Sequence, residues 1–330
     1  MSKILIIRFS AFGDVAMTLP VIFSLAKRYP QQEFIFLTHP FFQDLQPYFP
    51  SNVRLLTVDV KKKYRGFWGL YRLHHQLRKE DITAVADLHD VLRTKILRLF
   101  FFIQGLNVKI IDKGRKDKAI LTRKIGKHLW PLKSQFARYQ KVFSDLNLPF
   151  KMDFQSILPI QNQQEKQEKI LGIAPFSKHL GKTYPLEKIE KIIHFFDQKK
   201  TKIVIFAAHT EVEKLKFIQE KYPNLEFFIG EKIVKILKKM QKISVLLSMD
   251  SANQHFASLV QTPVISIWGA THPYLGFSGW QQKPEHQIVA KIYCSPCSTF
   301  GQKPCFRKDY ACMTTLESEQ VIKKLEQFLL

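Results

Sequence analysis

Three short segments of this 330-residue sequence gather acids, hydroxyls and amines where an apolar run ends. The first is Ser10-Ala11-Phe12-Gly13-Asp14, which follows Ile4–Ile7. Asp14 can cap a helix there by accepting hydrogen bonds from backbone N–H groups, or act as a general base on a bound hydroxyl. The loop carries Gly13 alone, so it is not the Gly-x-Gly-x-x-Gly dinucleotide fingerprint, and the chain has no Gly-x-x-x-x-Gly-Lys-Ser/Thr phosphate loop. Both absences count against a nicotinamide oxidoreductase and a nucleoside triphosphatase.

The second segment, Pro175 to Pro185, holds Ser177, Lys178 and Lys182 ahead of a helical stretch. Its hydroxyl and amines can grip a diphosphate, with a helix dipole adding to the mobile charge of lysine; the alternative is an ordinary solvated basic loop. The third is Ser248-Met249-Asp250-Ser251-Ala252-Asn253-Gln254-His255, leading into a helix with Phe256, Leu259 and Val260 on its apolar side. Asp250, Ser251 and Asn253 can cap that helix and leave its first N–H groups to a phosphate. His255, about one turn in, fits a structural or a functional imidazole equally well. Further on, Cys294, Cys297, Cys305 and Cys312 cluster as Cys-x2-Cys-x7-Cys-x6-Cys. Four thiolates suit a tetrahedral structural zinc, although the later spacings are not those of a common finger. Reduced thiols in a compact loop are the alternative, since a cytosolic setting disfavours disulfides.

These loops need strands to carry them. Apolar runs at Ile4–Ile7, Glu33–Thr38, Val53–Val58, Thr83–Leu88 and Val108–Ile111 alternate with helical periods such as Val15–Arg28, Gly66–Lys79 and Val91–Ile103. That texture predicts parallel strands covered on both faces. It stops at a polar stretch from Gln161 to Lys169 and restarts at Ile170–Ala174, Lys202–Phe206, Glu226–Ile229, Ser244–Ser248 and Val264–Ile267. The expected plan is an α/β chain of two doubly wound units: residues 1–158, a linker at 159–169, a second unit at 170–315 and a closing helix at 316–330. Ligands in such sheets bind beyond the carboxyl ends of the strands, so both units are expected to face a central cleft.

A 45% hydrophobic composition with 28 Phe can fill real cores, which excludes a disordered chain. The net charge is +23, and residues 61–141 alone carry 21 Lys/Arg against 6 Asp/Glu. Such a field attracts polyanions: nucleic acid, anionic lipid or a phosphorylated substrate. No nucleic-acid-binding module or aromatic platform is evident, so nucleic acid is not the expected partner. No run approaches the ~20 apolar residues of a membrane span. Lys3 leads into only four apolar residues before Arg8, unlike a signal peptide. A cytoplasmic location is expected, with peripheral attachment to a membrane left open.

Taken together, the loops resemble glycosyltransferase family 9, the ADP-heptose:lipopolysaccharide heptosyltransferases. The resemblance runs over nearly the whole chain. It rests on Ile4 to Val15 with Thr18-Leu19-Pro20, on Lys182-Thr183-Tyr184-Pro185, on Met249 to His255, and on the segment from Cys294-x-x-Cys297 to Cys312-Met313. It implies a GT-B fold, two Rossmann-like domains with the acceptor held mainly by the first and a nucleotide sugar by the second. It also implies inversion at the anomeric carbon with no cofactor and no catalytic metal. By position, Asp14 becomes the base toward the acceptor hydroxyl, with Ser10 and Gly13 in the acceptor-side loop. Lys182 and Ser177 match contacts to the donor diphosphate, and Asp250 matches the residue holding the sugar hydroxyls. Ser251 and Ala252 would offer backbone N–H groups to the phosphate, and His255 would support their loop. Glu211 and Glu213 are candidates for the ribose-binding acid. The implied donor is ADP-L-glycero-D-manno-heptose and the implied acceptor a phosphorylated, Kdo-bearing lipid A at the anionic inner-membrane surface. Lys61, Lys62, Lys63 and Arg93 would face that acceptor, and Phe67, Trp68, Leu70 and Tyr71 could enter the interface. No obligate protein partner is implied. The family's usual Asp-Thr-Gly is Asp250-Ser251-Ala252 here, and Ala207-Ala208-His209 stands where a glycine is common. A sugar-nucleotide 2-epimerase shares the architecture but would need further acids in the cleft.

Overall fold

The computed structural model describes residues 3–160 and 168–330. Its first sheet is built from β1 (Lys3–Ile7), β2 (Glu33–Thr38), β3 (Val53–Thr57), β4 (Ile82–Asp87) and β5 (Asn107–Ile110). The helices are α1 (Phe12–Arg28), α2 (Gly66–Leu77), α3 (Leu92–Ile103), α4 (Arg115–Leu121) and α5 (Gln135–Ser144). The strands lie in the order β3-β2-β1-β4-β5, and every pairing is parallel. From Ile4 on, every residue of β1 is buried, as a strand covered by helices on both faces requires.

The second sheet holds β6 (Ile170–Ala174), β7 (Lys202–Ala207), β8 (Glu226–Ile229), β9 (Val245–Met249), β10 (Val264–Trp268) and β11 (Gln287–Val289). Its order is β11-β10-β9-β6-β7-β8, again all parallel. The helices are α6 (Leu186–Gln198), α7 (Lys216–Lys221), α8 (Ile233–Lys242), α9 (Ala252–Ser258), α10 (Ala311–Thr314) and α11 (Ser318–Leu329). In each sheet the direction of winding reverses once, between β1 and β4 in the first and between β6 and β9 in the second. A reversal opens a crevice beyond the strand ends, the usual ligand site of a doubly wound sheet.

Contacts divide the chain into two units, Met1–Lys113 with Ser134–Ile157, and Gly114–Lys133 with Leu158–Leu330. The sequence expectation kept 1–158 together, whereas the stretch 114–133 packs with the second unit. Lys127 Nζ donates to the carbonyls of Cys294 and Pro296 at 2.7 Å each, Leu132 N donates to Tyr274 O at 2.9 Å, and Lys118 stands 4.1 Å from the centre of the Phe277 ring. Of the expected linker, residues 161–167 lie outside the described residues. The closing helix α11 belongs to the second core, where Val321, Leu325 and Leu329 join side chains of β6, β9 and β10.

The first core is sealed on one side by α2, which sits directly on the turn before it. A Cβ at Gly69 would stand 2.7 Å from the carbonyl oxygen of Tyr64 and 2.8 Å from its Cα. Backbone cannot yield as a side-chain tip can. In an open helix Gly→Ala gains about 1 kcal/mol of propensity, but overpacking of this kind costs about 1–3 kcal/mol. Gly69→Ala is therefore expected to be destabilising, read as a lower urea midpoint; an unchanged or raised midpoint would show that α2 can lift off Tyr64.

Candidate active site

At the first reversal, the ends of β1 and β4 bring Arg8, Ser10, Asp14, Asp87 and His89 together. Asp14 is not the helix cap residue itself; that position is Ala11, and Asp14 lies one turn in. Its Oδ2 accepts the backbone N–H of Ala11 at 3.2 Å and pairs with Arg8 Nη2 at 2.7 Å. The guanidinium is 7% exposed and the carboxylate 23%. Burial works against the charge on Arg8, yet Asp14, Tyr139 and Asp87 outweigh it and hold the group protonated. Arg8 Nη1 also donates to Leu88 O at 2.6 Å, and Tyr139 donates its hydroxyl to the carbonyl oxygen of Asp14 at 3.2 Å. Asp14 thus caps, pairs and remains partly reachable at once.

His89 is a component that no motif signalled. Its Nδ1 accepts the N–H of Phe9 at 3.4 Å, which leaves the proton on Nε2, 3.4 Å from Ser10 Oγ. Burial, reinforced by Arg8 and Lys113, pushes its pKa down to about 3, so the ring is neutral. The turn that carries it is fixed by Asp87, fully buried at the end of β4. Asp87 accepts the N–H groups of His89 and Asp90 at 2.9 Å each and an Arg98 contact at 2.7 Å. The one sequence hint was the polar cluster Asp87, His89 and Asp90 closing an apolar run. Gly13 lies in the first turn of α1, beside Asp14.

The second reversal assembles a tighter constellation around Asp250. Its Oδ2 takes Lys182 Nζ at 3.0 Å and the Thr271 hydroxyl at 2.7 Å, while Oδ1 takes Gln254 Nε2 at 3.0 Å. Lys182 comes from the loop after β6, Gln254 from α9 and Thr271 from the loop after β10. The lysine is 14% and the aspartate 8% exposed. The stem of Lys182 runs over Gly301 (φ +80), where a Cβ would come within 2.6 Å of its Cγ. Ser177 donates to His179 O at 3.0 Å and lies 3.3 Å from the Thr183 hydroxyl, in the same loop. Ser251 is the cap residue of α9 with extended backbone (φ −142), so the turn forms without the glycine usual beside it; Ala252 is the first helical residue. His255 is buried within α9. The two acids after β7 stand apart from this group in their bonding. Glu211 accepts the N–H of Ala208 at 2.8 Å, and exposed Glu213 pairs with Lys216 at 2.7 Å.

The four cysteines line one cavity of about 10 Å³, together with Ala270, Tyr310 and others. Among the described residues, no three His, Cys, Asp or Glu side chains are arranged to hold a metal ion. Of the two readings the spacing offered, a structural zinc and a set of reduced thiols, the cluster here shows four free thiols. Burial and the neighbouring sulfurs raise the Cys297 thiol and push that of Cys312 up to about 12. The residues act as packing: the N–H groups of Cys297 and Ser298 donate to Ala270 O at 3.0 and 2.9 Å, and Ala270 N donates to Gly181 O at 2.7 Å, next to Lys182.

Of the basic stretch 61–141, residues 114–133 belong to the second unit. Lys61, Lys62, Lys63 and Arg93 are exposed; the N–H groups of Lys61 and Lys62 donate to Asp59 at 2.8 and 3.0 Å. Phe67, Trp68 and Tyr71 are exposed as well, but Leu70 is buried in the core side of α2.

The profile of glycosyltransferase family 9 (heptosyltransferase) matches residues 70–305. The chain belongs to that family. The matched span of this family 9 glycosyltransferase takes in Lys182 and Asp250 and begins after Asp14. Among full-length relatives, it is 23% identical to lipooligosaccharide heptosyltransferase 2 of Campylobacter jejuni, over 96% of this chain and 95% of that protein. Its fold is that of a family 9 glycosyltransferase structure from Veillonella parvula (TM-score 0.75, 18% identity, 99% and 97% of the two chains). It is also that of the E. coli heptosyltransferase WaaC with ADP (TM-score 0.70, 16% identity, 98% and 99%). The two parallel sheets are thus the pair of a GT-B enzyme.

His89 gives this family 9 enzyme a pH signature. Above the usual histidine value of 6.5 the ring is neutral folded or unfolded. Below it the unfolded chain takes up a proton that the folded ring refuses until about pH 3, so stability falls as the pH drops. His89→Gln is expected to flatten the decline in denaturation midpoint between about pH 6.5 and 4, the window in which only the unfolded imidazole titrates. Parallel profiles for the two proteins would show that this ring protonates equally in both states.

Proposed function

We propose that this glycosyltransferase moves a heptose from ADP-L-glycero-D-manno-heptose to the Kdo region of the lipopolysaccharide inner core, with inversion and without a divalent metal. The observation that carries the reading is the convergence of Lys182, Thr271 and Gln254 on Asp250 at the reversal of the second sheet. In this reading the second unit binds the donor. Lys182, a flexible point charge, exchanges Asp250 for the diphosphate, and Asp250 then accepts from hydroxyls of the sugar. Ser177 and the N–H groups of Ser251 and Ala252 add donors to the phosphates, and His255 steadies α9.

The first unit binds the acceptor. Its hydroxyl gives a proton to Asp14 while the oxygen attacks the anomeric carbon from the face opposite ADP. The bond from that carbon to the diphosphate oxygen breaks, and ADP leaves with the electron pair, its charge offset by Lys182. Arg8 aims the Asp14 carboxylate, and Ser10 lies beside it, within reach of His89. Exposed Lys61, Lys62, Lys63 and Arg93 suit the phosphates of a Kdo-lipid A acceptor. The enzyme would then work peripherally, on the cytoplasmic face of the inner membrane. The relatives support this reading through their names, lipooligosaccharide and lipopolysaccharide heptosyltransferases, and through the E. coli enzyme solved with ADP.

Calorimetric titration with ADP, GDP, UDP and NAD, without added metal, tests the donor. ADP alone should bind, and Lys182→Ala should weaken it by about tenfold or more, the loss of one charge-assisted contact. Preferred binding of UDP or GDP would keep the transferase and overturn the heptose donor. Asp14→Asn should leave ADP affinity nearly unchanged and lower kcat by about 10²–10⁴, the range for a general base. Turnover within a few-fold of the parent would remove Asp14 from that role.

A further inference from the structure

We propose that the outer face of the α2–α3 pair is a bilayer-docking surface, which inserts apolar side chains among anionic phospholipids. The choice of a bilayer rests in part on the lipid-linked acceptor proposed above; the surface itself is read from the packing. The two helices are joined by aromatic contacts, with Phe100 5.6 Å from Phe67 and 5.8 Å from Tyr71, and His74 4.8 Å from Phe101. Leu73, Leu77, Leu97 and Phe101 on the inner side belong to the first core.

A helix needs only one such apolar side, yet α3 has a second. Leu92, Leu99 and Ile103 recur at spacings of seven and four, which sets them on one stripe turned away from Leu97 and Phe101. They are 74%, 52% and 72% exposed. Phe102 at 68% and, on α2, Phe67 at 52% and Trp68 at 74% extend the same exposure. Single exposed apolar residues are ordinary, but a run of large ones on two adjoining helices marks an interaction surface.

Charge selects the occupant. From Val60 to Lys79 and from Val91 to Ile111 the sequence contains no Asp or Glu, while Lys61, Lys62, Lys63, Arg65, Arg72, Arg78 and Lys79 crowd the first stretch. A second copy meeting this face through a twofold axis would bring like charges together, which disfavours a homodimer. Anionic headgroups complement the basic residues, and the tryptophan and phenylalanines match the depth just beneath them.

The test is flotation of the full-length protein with vesicles of phosphatidylcholine alone or mixed with phosphatidylglycerol. The parent should float with the mixed vesicles. Phe67→Ser/Trp68→Ser/Phe102→Ser should lose about tenfold or more of that partitioning, because the inserted apolar area carries part of the affinity that charge alone does not supply. Leu99→Ser/Ile103→Ser, altering α3 alone, guards against a folding defect; both variants should keep the parent's ADP affinity and thermal midpoint. Trp68→Phe should remove a blue shift of emission seen when the parent meets mixed vesicles. Undiminished flotation of both serine variants would overturn the proposal, and so would a parent dimer in sedimentation that the variants split. Failure of the parent to bind ADP would strike the donor reading and leave the flotation result standing.

Discussion

A carboxylate removed from water has to be surrounded by donors, and Asp250 imposes that demand on the second unit. Left unpaired at 8% exposure it would cost about several kcal/mol, an order set by desolvation. Its three donors come from three separate places: the loop after β6, the first helical turns of α9 and the loop after β10. Satisfying one side chain therefore fixes three strand ends relative to one another. The Cys-rich stretch follows from the same demand. Gly301 lies under the stem of Lys182, and Cys297, Ser298 and Gly181 all bond to Ala270. The Cys-rich stretch is thus part of the wall along the lysine stem.

The first unit solves a related problem with the signs exchanged. There the deeper group is a cation, Arg8, and the carboxylate facing it is the more exposed partner. Because the guanidinium also holds Leu88 O, the end of β1 is tied to the chain leaving β4, where Asp87 organises the turn through His89 and Asp90. The neutral His89 fits this arrangement, since a second cation next to Arg8 would be penalised. Both crevices thus hold an ion pair at the one place in each sheet where the winding reverses, within the β1–α1 connection in the first and between two separate loops in the second.

Much of this was legible in the residues. The runs Glu33–Thr38, Ile170–Ala174 and Glu226–Ile229 match the observed strands end to end, because short apolar runs bounded by polar loops are what strands of a helix-covered sheet present. Asp14, Lys182 and Asp250 stood out for the same reason, as polar groups at abrupt ends of such runs. The misses share a cause as well. Strand β11 has three residues and begins with Gln287, too short for a period to show. Thr271 reaches Asp250 across 21 positions, and Ser10 meets His89 across 79; pairings at that distance leave no local pattern. The Cys spacing shows which thiols are near in sequence but not that all four line one small cavity, which depends on loops brought together by the fold.

The stretch 114–133 has a consequence for how the enzyme can be taken apart. The chain passes from one unit to the other at 113/114, again at 133/134, and a third time at 157/158. A gene cut at the polar stretch would therefore not yield two intact modules. The downstream fragment would lack the lysine that binds the carbonyls of Cys294 and Pro296 and the Leu132 N–H that donates to Tyr274 O. The upstream fragment would carry twenty residues whose packing partners had been removed. Exchange of C-terminal halves between family members has to carry this loop along with the C-terminal half. With three crossings between the units, no single cut leaves both of them whole.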